Sequence, residues 1–206
     1  MVASATQAPS TLASLRARAK QAQTTTERRA MLLDGIAFAR FTIQERTDRA
    51  ERIFEEWKLQ GRPTDLSAMP KGLKPQYVGQ ATTCLADAVN LTDDQVETLW
   101  DYTPHESEAY LGKLIRGLGC PKTSFALACA GIGRRGCIDS HIVRNHPEID
   151  HLLSKAARRD RASRDWTPKR YVAAVELIWG TGDTASAQWS EWLNNYVTTT
   201  THEILA

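Results

Sequence analysis

The stretch Leu114 to Arg144, LIRGLGCPKTSFALACAGIGRRGCIDSHIVR, decides how the rest of the chain is read. It opens on a turn rich in chain-breaking residues, Gly117, Gly119 and Pro121, and then an apolar helix is predicted from Lys122. The pair Gly131 and Gly133 breaks that helix, and a second helical start follows at Ile138. Two polar residues stand at its corners. Lys122 enters the run Phe125-Ala126-Leu127-Ala128-Cys129-Ala130 at its amino end, and Asp139 lies between Ile138 and Ser140.

Each corner residue has two readings. A lysine is a nucleophile only as the free amine, whereas its ordinary pKa is about 10.4. Partial burial at the positive end of a helix would lower that value, and a solvated charge or a phosphate contact is the alternative. Asp139 precedes Ser-His-Ile, a good helix start, so it serves as a cap, as a reactive carboxylate or as both. A glycine turn before a helix also presents backbone N–H groups to an anion such as a DNA phosphate, which positions the nucleic acid without reading it.

In order, Gly117-Leu118-Gly119, Lys122-Thr123 and Ile138-Asp139-Ser140-His141 resemble the helix-hairpin-helix DNA glycosylases of the endonuclease III and 8-oxoguanine glycosylase superfamily. The resemblance spans about residues 105 to 200 and is strongest from 114 to 144. It departs from the usual hairpin in placing two residues, Cys120 and Pro121, between the second glycine and the lysine. It implies Lys122 as nucleophile and Asp139 as essential carboxylate. Gly117, Gly119, Cys120, Thr123 and His141 would then lie against the DNA backbone. Members that excise oxidised guanine read the extruded base with a glutamine and stack an aromatic ring on it from a late helix. Gln188 and Trp192 match that spacing, and Phe125 stands where some members place a small thiol residue. An amide can donate to and accept from a base edge, and an indole offers a stacking face, whereas a tryptophan in the core and a solvent-facing glutamine form the plainer alternative.

Composition is compatible with this. Net charge is +2, but residues 105 to 170 carry thirteen Lys or Arg against seven Asp or Glu, while residues 1 to 104 carry thirteen of each. That asymmetry fits either a phosphate-binding face or a solvated helix surface. Cys84, Cys120, Cys129 and Cys137 lack Cys-x-x-Cys spacing and are read as reduced thiols. With the last cysteine at Cys137, the four-cysteine iron–sulfur loop of some superfamily members is absent, and no metal or other cofactor is expected.

Around the central stretch the pattern is helical, with no strand alternation and no repeat. One long helical pattern runs from a Thr26 cap to Leu59 and stops at Gly61-Arg62-Pro63. Shorter helices are predicted over Tyr77–Val89, Asp93–Tyr102 and Glu106–Ile115, then Glu148–Arg159, Pro168–Trp179 and Thr184–Val197. The expectation is an all-α, two-lobed helical bundle with a helix-hairpin-helix motif and a cleft between lobes. Residues 1–25 form a flexible or weakly helical amino terminus, 26–104 a first lobe, and 105–206 a core whose last helix packs back on that lobe. Residues 1 to 26 lack acidic side chains, which also resembles an organelle transit peptide.

The expected function is base excision with AP-lyase cutting through a lysine Schiff base, on double-stranded DNA carrying a modified base, most readily an oxidised purine such as 8-oxoguanine. A glycosylase for hypermodified phage bases and a non-catalytic hairpin DNA-binding module are the alternatives. A monomer in the cytoplasm, associated with the nucleoid in a bacterium and making no membrane contact, is expected.

Overall fold

Threonine caps set four of the helix starts among the described residues. The computed structural model describes residues 14–15, 18, 21–42, 47–67, 75–132, 136–181 and 188 of the 206. Helix α1 spans Thr25–Phe41, and its start is a capping box in which Thr24 and Glu27 satisfy each other's backbone N–H groups. The cap is thus Thr24, not Thr26. The long pattern to Leu59 is two elements, α1 and α2 (Thr47–Leu59). Beyond α2, Gly61 (φ 80°) and Arg62 (φ 60°) close a left-handed cap, with Arg62 N–H donating to the Trp57 carbonyl.

Next come α3 (Pro75–Val89), α4 (Asp93–Asp101) and α5 (Pro104–Leu114), the last two opened by capping boxes at Thr92 with Gln95 and Thr103 with Glu106. A short turn leads to α6 (Cys120–Cys129), which begins two residues before Lys122. It ends at Gly131 (φ 78°), with Ile132 N–H donating to Leu127. Helix α7 is Ser140–Asn145. The single helix read over Glu148–Arg159 is instead a 3-10 turn, Pro147–Leu152, and α8, Lys155–Asp160, because Leu153 is extended and Ser154 takes a new cap by accepting from Ala157 N–H. Helix α9, Pro168–Trp179, is capped by Thr167 and closed by Gly180.

Every element among the described residues is helical, so the class is all-α. None of these helices is long and apolar enough to cross a membrane.

The centre of the packing is α1. From Gly35 to Phe41 every residue is buried, which a helix tolerates only when neighbours cover it all round. It packs on α6, α3, α2 and α4. Gly35 permits the tightest of these crossings, since a Cβ there would overlap the Ala126 carbonyl oxygen of α6. Phe38, Phe41, Phe54 and Trp57 form an aromatic cluster with ring centroids 5.4–6.0 Å apart, each fully buried ring contributing about 1.5–3 kcal/mol. The buried cluster is continuous from α1 to α9, across residue 104.

Candidate active site

Helix α5 runs out at Ile115, whose N–H still donates to Leu111. The chain then reverses through Arg116, Gly117, Leu118 and Gly119 into α6. Gly117 has φ 82°, a left-handed conformation that disfavours a side chain. Three groups tie the turn down. The Cys84 thiol donates to the Arg116 carbonyl at 3.0 Å, and Arg116 clasps Asp87 through its N–H and its guanidinium at 2.8–3.0 Å. Arg40 of α1 donates from Nη1 to the Gly117 carbonyl at 3.2 Å.

Gly119 differs from Gly117. Its φ of −76° suits any residue, and nothing lies within 4 Å of where a Cβ would stand. No local packing therefore requires a glycine there; what its absence of a side chain provides is open approach to the first turn of α6. That turn has no side-chain cap, whereas α1, α4, α5, α7, α8 and α9 each have one. Thr123 is buried, and its hydroxyl donates back to the hairpin carbonyls of Leu118 and Gly119 at 3.4 and 3.2 Å. Its side chain therefore braces the turn from inside.

Lys122 is the third residue of α6. Its Nζ donates to Thr42 Oγ1, just beyond α1, at 3.4 Å and stands 5.6 Å from the centre of the Phe125 ring. Phe125 is partly buried and stacks on Phe38 with centroids 6.0 Å apart, so its ring joins the lysine to the core. Part of the residue reaches solvent, yet burial dominates the amine and holds it below the ordinary lysine value. Cys137, Asp139 and Cys129 oppose that shift, and Arg40 adds to it. Cys137 itself is pushed up to about 12 by burial, so at neutral pH it is an uncharged thiol and its opposition vanishes. Burial likewise raises the Cys84 and Cys120 thiols.

Asp139 caps α7, accepting from Ile142 N–H at 2.8 Å, and is exposed. The strand of backbone that carries it is clamped from later in the chain. Trp179 Nε1 donates to the Cys137 carbonyl at 3.3 Å, and Ile138 N–H donates to the buried Tyr171 hydroxyl at 3.1 Å. The Ser163 hydroxyl donates to the Ile138 carbonyl, while Ser163 N–H reaches Ser140 Oγ at 3.0 Å. Gly136 is required by this fit, because a Cβ would collide with the Trp179 indole. Tyr171 keeps its proton to well above the usual phenol range through burial, and Ser124 beside it donates to Glu108 at 2.8 Å. His141 is the second residue of α7, its Nε2 2.9 Å from Asn145 Nδ2.

The structure thus places Lys122 within electrostatic reach of Asp139, with the glycine turn at the amine's own helix start. Gln188 is helical and exposed; Trp192 lies outside the described residues. A surface cavity of about 200 Å³ lies elsewhere, lined by Arg18, Gln21, Ala22, Glu27, Ala30 and Met31. Of the basic run, Arg161 binds Asp150 and the carbonyls of Val143 and Arg144, and Arg159 and Arg164 bind Asp160. Those three serve the fold. Lys155, Arg158, Lys169 and Arg170 are exposed.

Sequence reasoning missed Arg40 and the clamp on Asp139. Arg40 had one visible signal, a charged residue inside the apolar run Gly35–Phe41. Tyr171 read as core, and only the need of a buried phenol for a hydrogen-bond partner pointed further. Comparison with known proteins supplies no relative: no family model, curated protein or solved structure matches the chain.

Proposed function

We propose that this chain is a DNA base-excision glycosylase with AP-lyase activity, in which Lys122 is the nucleophile and Asp139 the assisting carboxylate. The observation that carries the reading is the Lys122 amine: burial lowers its pKa, and it sits in the first turn of a helix that follows a left-handed glycine. A surface lysine has no such history of desolvation, and a lowered pKa is what an amine nucleophile needs at neutral pH.

The proposed reaction uses these groups in order. The uncapped start of α6, with open space beside Gly119, receives a backbone phosphate of the duplex. The neutral Lys122 amine adds to C1′ of an extruded nucleotide as the bond from C1′ to the base breaks; the base leaves with that electron pair and takes up a proton. Asp139 stabilises the positive charge that develops on the sugar. The amine loses its protons as the sugar ring opens to an imine, and removal of a C2′ proton then breaks the C3′–O bond and cuts the strand. Gln188, exposed on its helix, is available to a base edge, and an oxidised purine of the 8-oxoguanine kind is the proposed substrate.

The test is reductive trapping. The protein is incubated with duplexes carrying single oxidised or hypermodified bases in the presence of borohydride, and the adduct is mapped by mass spectrometry. A covalent link at Lys122, lost in Lys122→Ala, supports the assignment. Wild-type cutting and trapping by Lys122→Ala would end it.

A further inference from the structure

Arg40 is only 3% exposed, yet the groups it meets are neutral. Nη1 donates to the Gly117 carbonyl at 3.2 Å and Nη2 to Gln80 Oε1 at 3.0 Å, while Nε is buried with no hydrogen-bond partner among the described residues. No carboxylate pairs with it among those residues. A guanidinium enclosed in this way costs several kcal/mol of lost hydration, which two neutral acceptors only partly offset. A Met or Leu at this place on α1 would extend the apolar run without that cost.

We infer that Arg40 is a positioning residue for the Lys122 amine: it ties the glycine turn that launches α6 to the central helix, and it sets a second cation two residues before Thr42, whose hydroxyl the amine meets. The inference rests on the reading of Lys122 as the nucleophile. Its first part follows from geometry. The carbonyl that Arg40 holds belongs to Gly117, the left-handed residue whose conformation directs the chain into α6, and Lys122 lies in the first turn of that helix.

The second part follows from charge. The groups bearing on Lys122 are Arg40 from α1, Cys129 on its own helix, and Cys137 and Asp139 from the segment before α7, with the Thr42 hydroxyl within hydrogen-bond reach. Cys137 is uncharged at neutral pH. Among the Asp and Arg side chains this sets Arg40, which favours the free amine, against Asp139, which favours the ammonium, with Cys129, the weakest influence, on the side of the ammonium. A charged residue kept in an apolar helix without a counter-ion among the described residues is then accounted for by what it does to its neighbour.

The experiment reads the amine directly, on the free protein. Lysine is labelled with carbon-13 at Cε, the Lys122 signal is assigned as the one missing from Lys122→Arg, and its shift is followed against pH. In the wild type Lys122 should titrate below the other lysines. Arg40→Met removes the charge, and Arg40→Gln removes it while keeping a donor for the Gly117 carbonyl, which preserves a folded test protein if the methionine variant fails. Both should move the Lys122 midpoint upward, and Arg40→Lys should leave it near the wild-type position. A folded Arg40→Gln protein with an unmoved midpoint overturns the inference. So does an Arg40→Lys midpoint that moves as far as that of Arg40→Gln. Because no DNA is present, loss of trapping on every duplex would remove the glycosylase reading while leaving this titration to stand or fall alone.

Discussion

The two halves of α1 bury charge in opposite ways. Near its middle, Asp34 is 0% exposed and its carboxylate receives Arg62 through two hydrogen bonds of 2.7 and 3.1 Å and Arg18 at 3.3 Å. Every charge there has a partner. Toward the carboxy end Arg40 meets only neutral acceptors among the described residues, and the Lys122 amine beyond it has a hydroxyl and an aromatic ring. The carboxylate that bears on that amine, Asp139, is exposed and is engaged by a backbone N–H. A matched buried charge ties elements together: Asp34 joins α1 to the left-handed cap after α2. An unmatched one raises the energy of the folded chain, so the unmatched half is where chemistry is to be sought.

The largest expected effect tests the unmatched half. Asp139→Asn keeps the α7 cap, because asparagine accepts the Ile142 N–H as well as aspartate does. It should leave melting and duplex affinity unchanged and slow base release by about 10²–10⁴-fold, the usual range for loss of a positioned acid–base group. Single-turnover cleavage, gel-shift titration and a thermal melt separate these quantities. If all three fall together, or if cleavage is unaffected, Asp139 is a cap and the contrast between the two halves loses its chemical side.

A smaller effect tests the matched half. Asp34→Ala strands two guanidiniums, but Arg62 and Arg18 have side chains 32% and 45% exposed and can rehydrate. The cost should therefore lie below the range for a fully buried pair, about 2–3 kcal/mol, and appear as a melting temperature lowered by several degrees. Reductive trapping, corrected for folded fraction, should be unchanged. A wild-type melt would show that the ion pair contributes nothing and that matching is not what distinguishes the two halves.

What could be read from the sequence follows the reach of each interaction. The start of α9 at Pro168, its end before Gly180 and the start of α4 at Asp93 are local, and so legible, whereas the Thr103 box opens α5 at Pro104, two residues before the expected Glu106. The left-handed Gly117 before α6 was legible as a glycine-rich break before an apolar helix. The single helix expected over Glu148–Arg159 failed on one competition that a helical pattern does not show, the Ser154 hydroxyl taking the Ala157 N–H. Long-range choices were hidden. That α1 is central to the packing depends on its burial against α6, and Arg40 finds Gly117 across more than a third of the chain. The Tyr171, Ser163 and Trp179 clamp on the Asp139 segment is of the same kind, since each of its donors and acceptors comes from another element. The Gln188 and Trp192 pair rests on residues most of which lie outside those described.

The smallest effect is a pH dependence of stability. The folded-state pKa of Lys122 lies below its unfolded value of about 10.4. Below the lowered value both states hold the proton, and the folded state bears the full cost of an enclosed ammonium. As pH rises through that value the folded state sheds its proton first, so the cost falls; above about 10.4 both states are neutral and it is gone. Lys122 therefore destabilises the fold most below its lowered pKa and progressively less as pH rises toward about 10.4. Lys122→Met keeps an unbranched chain of similar length and removes the titrating group. It should melt a few degrees above the wild type at the acid end of the range, reduced slightly by loss of the Thr42 contact, with the gap narrowing as pH rises toward about 10. The Asp34 ion pair has no part in this, so Asp34→Ala should lower the melt by a constant amount across the same window. A Lys122→Met gap that stays constant or widens with pH would mean that the amine is protonated at ordinary lysine values, and the unmatched half of α1 would then be a solvated surface rather than a site.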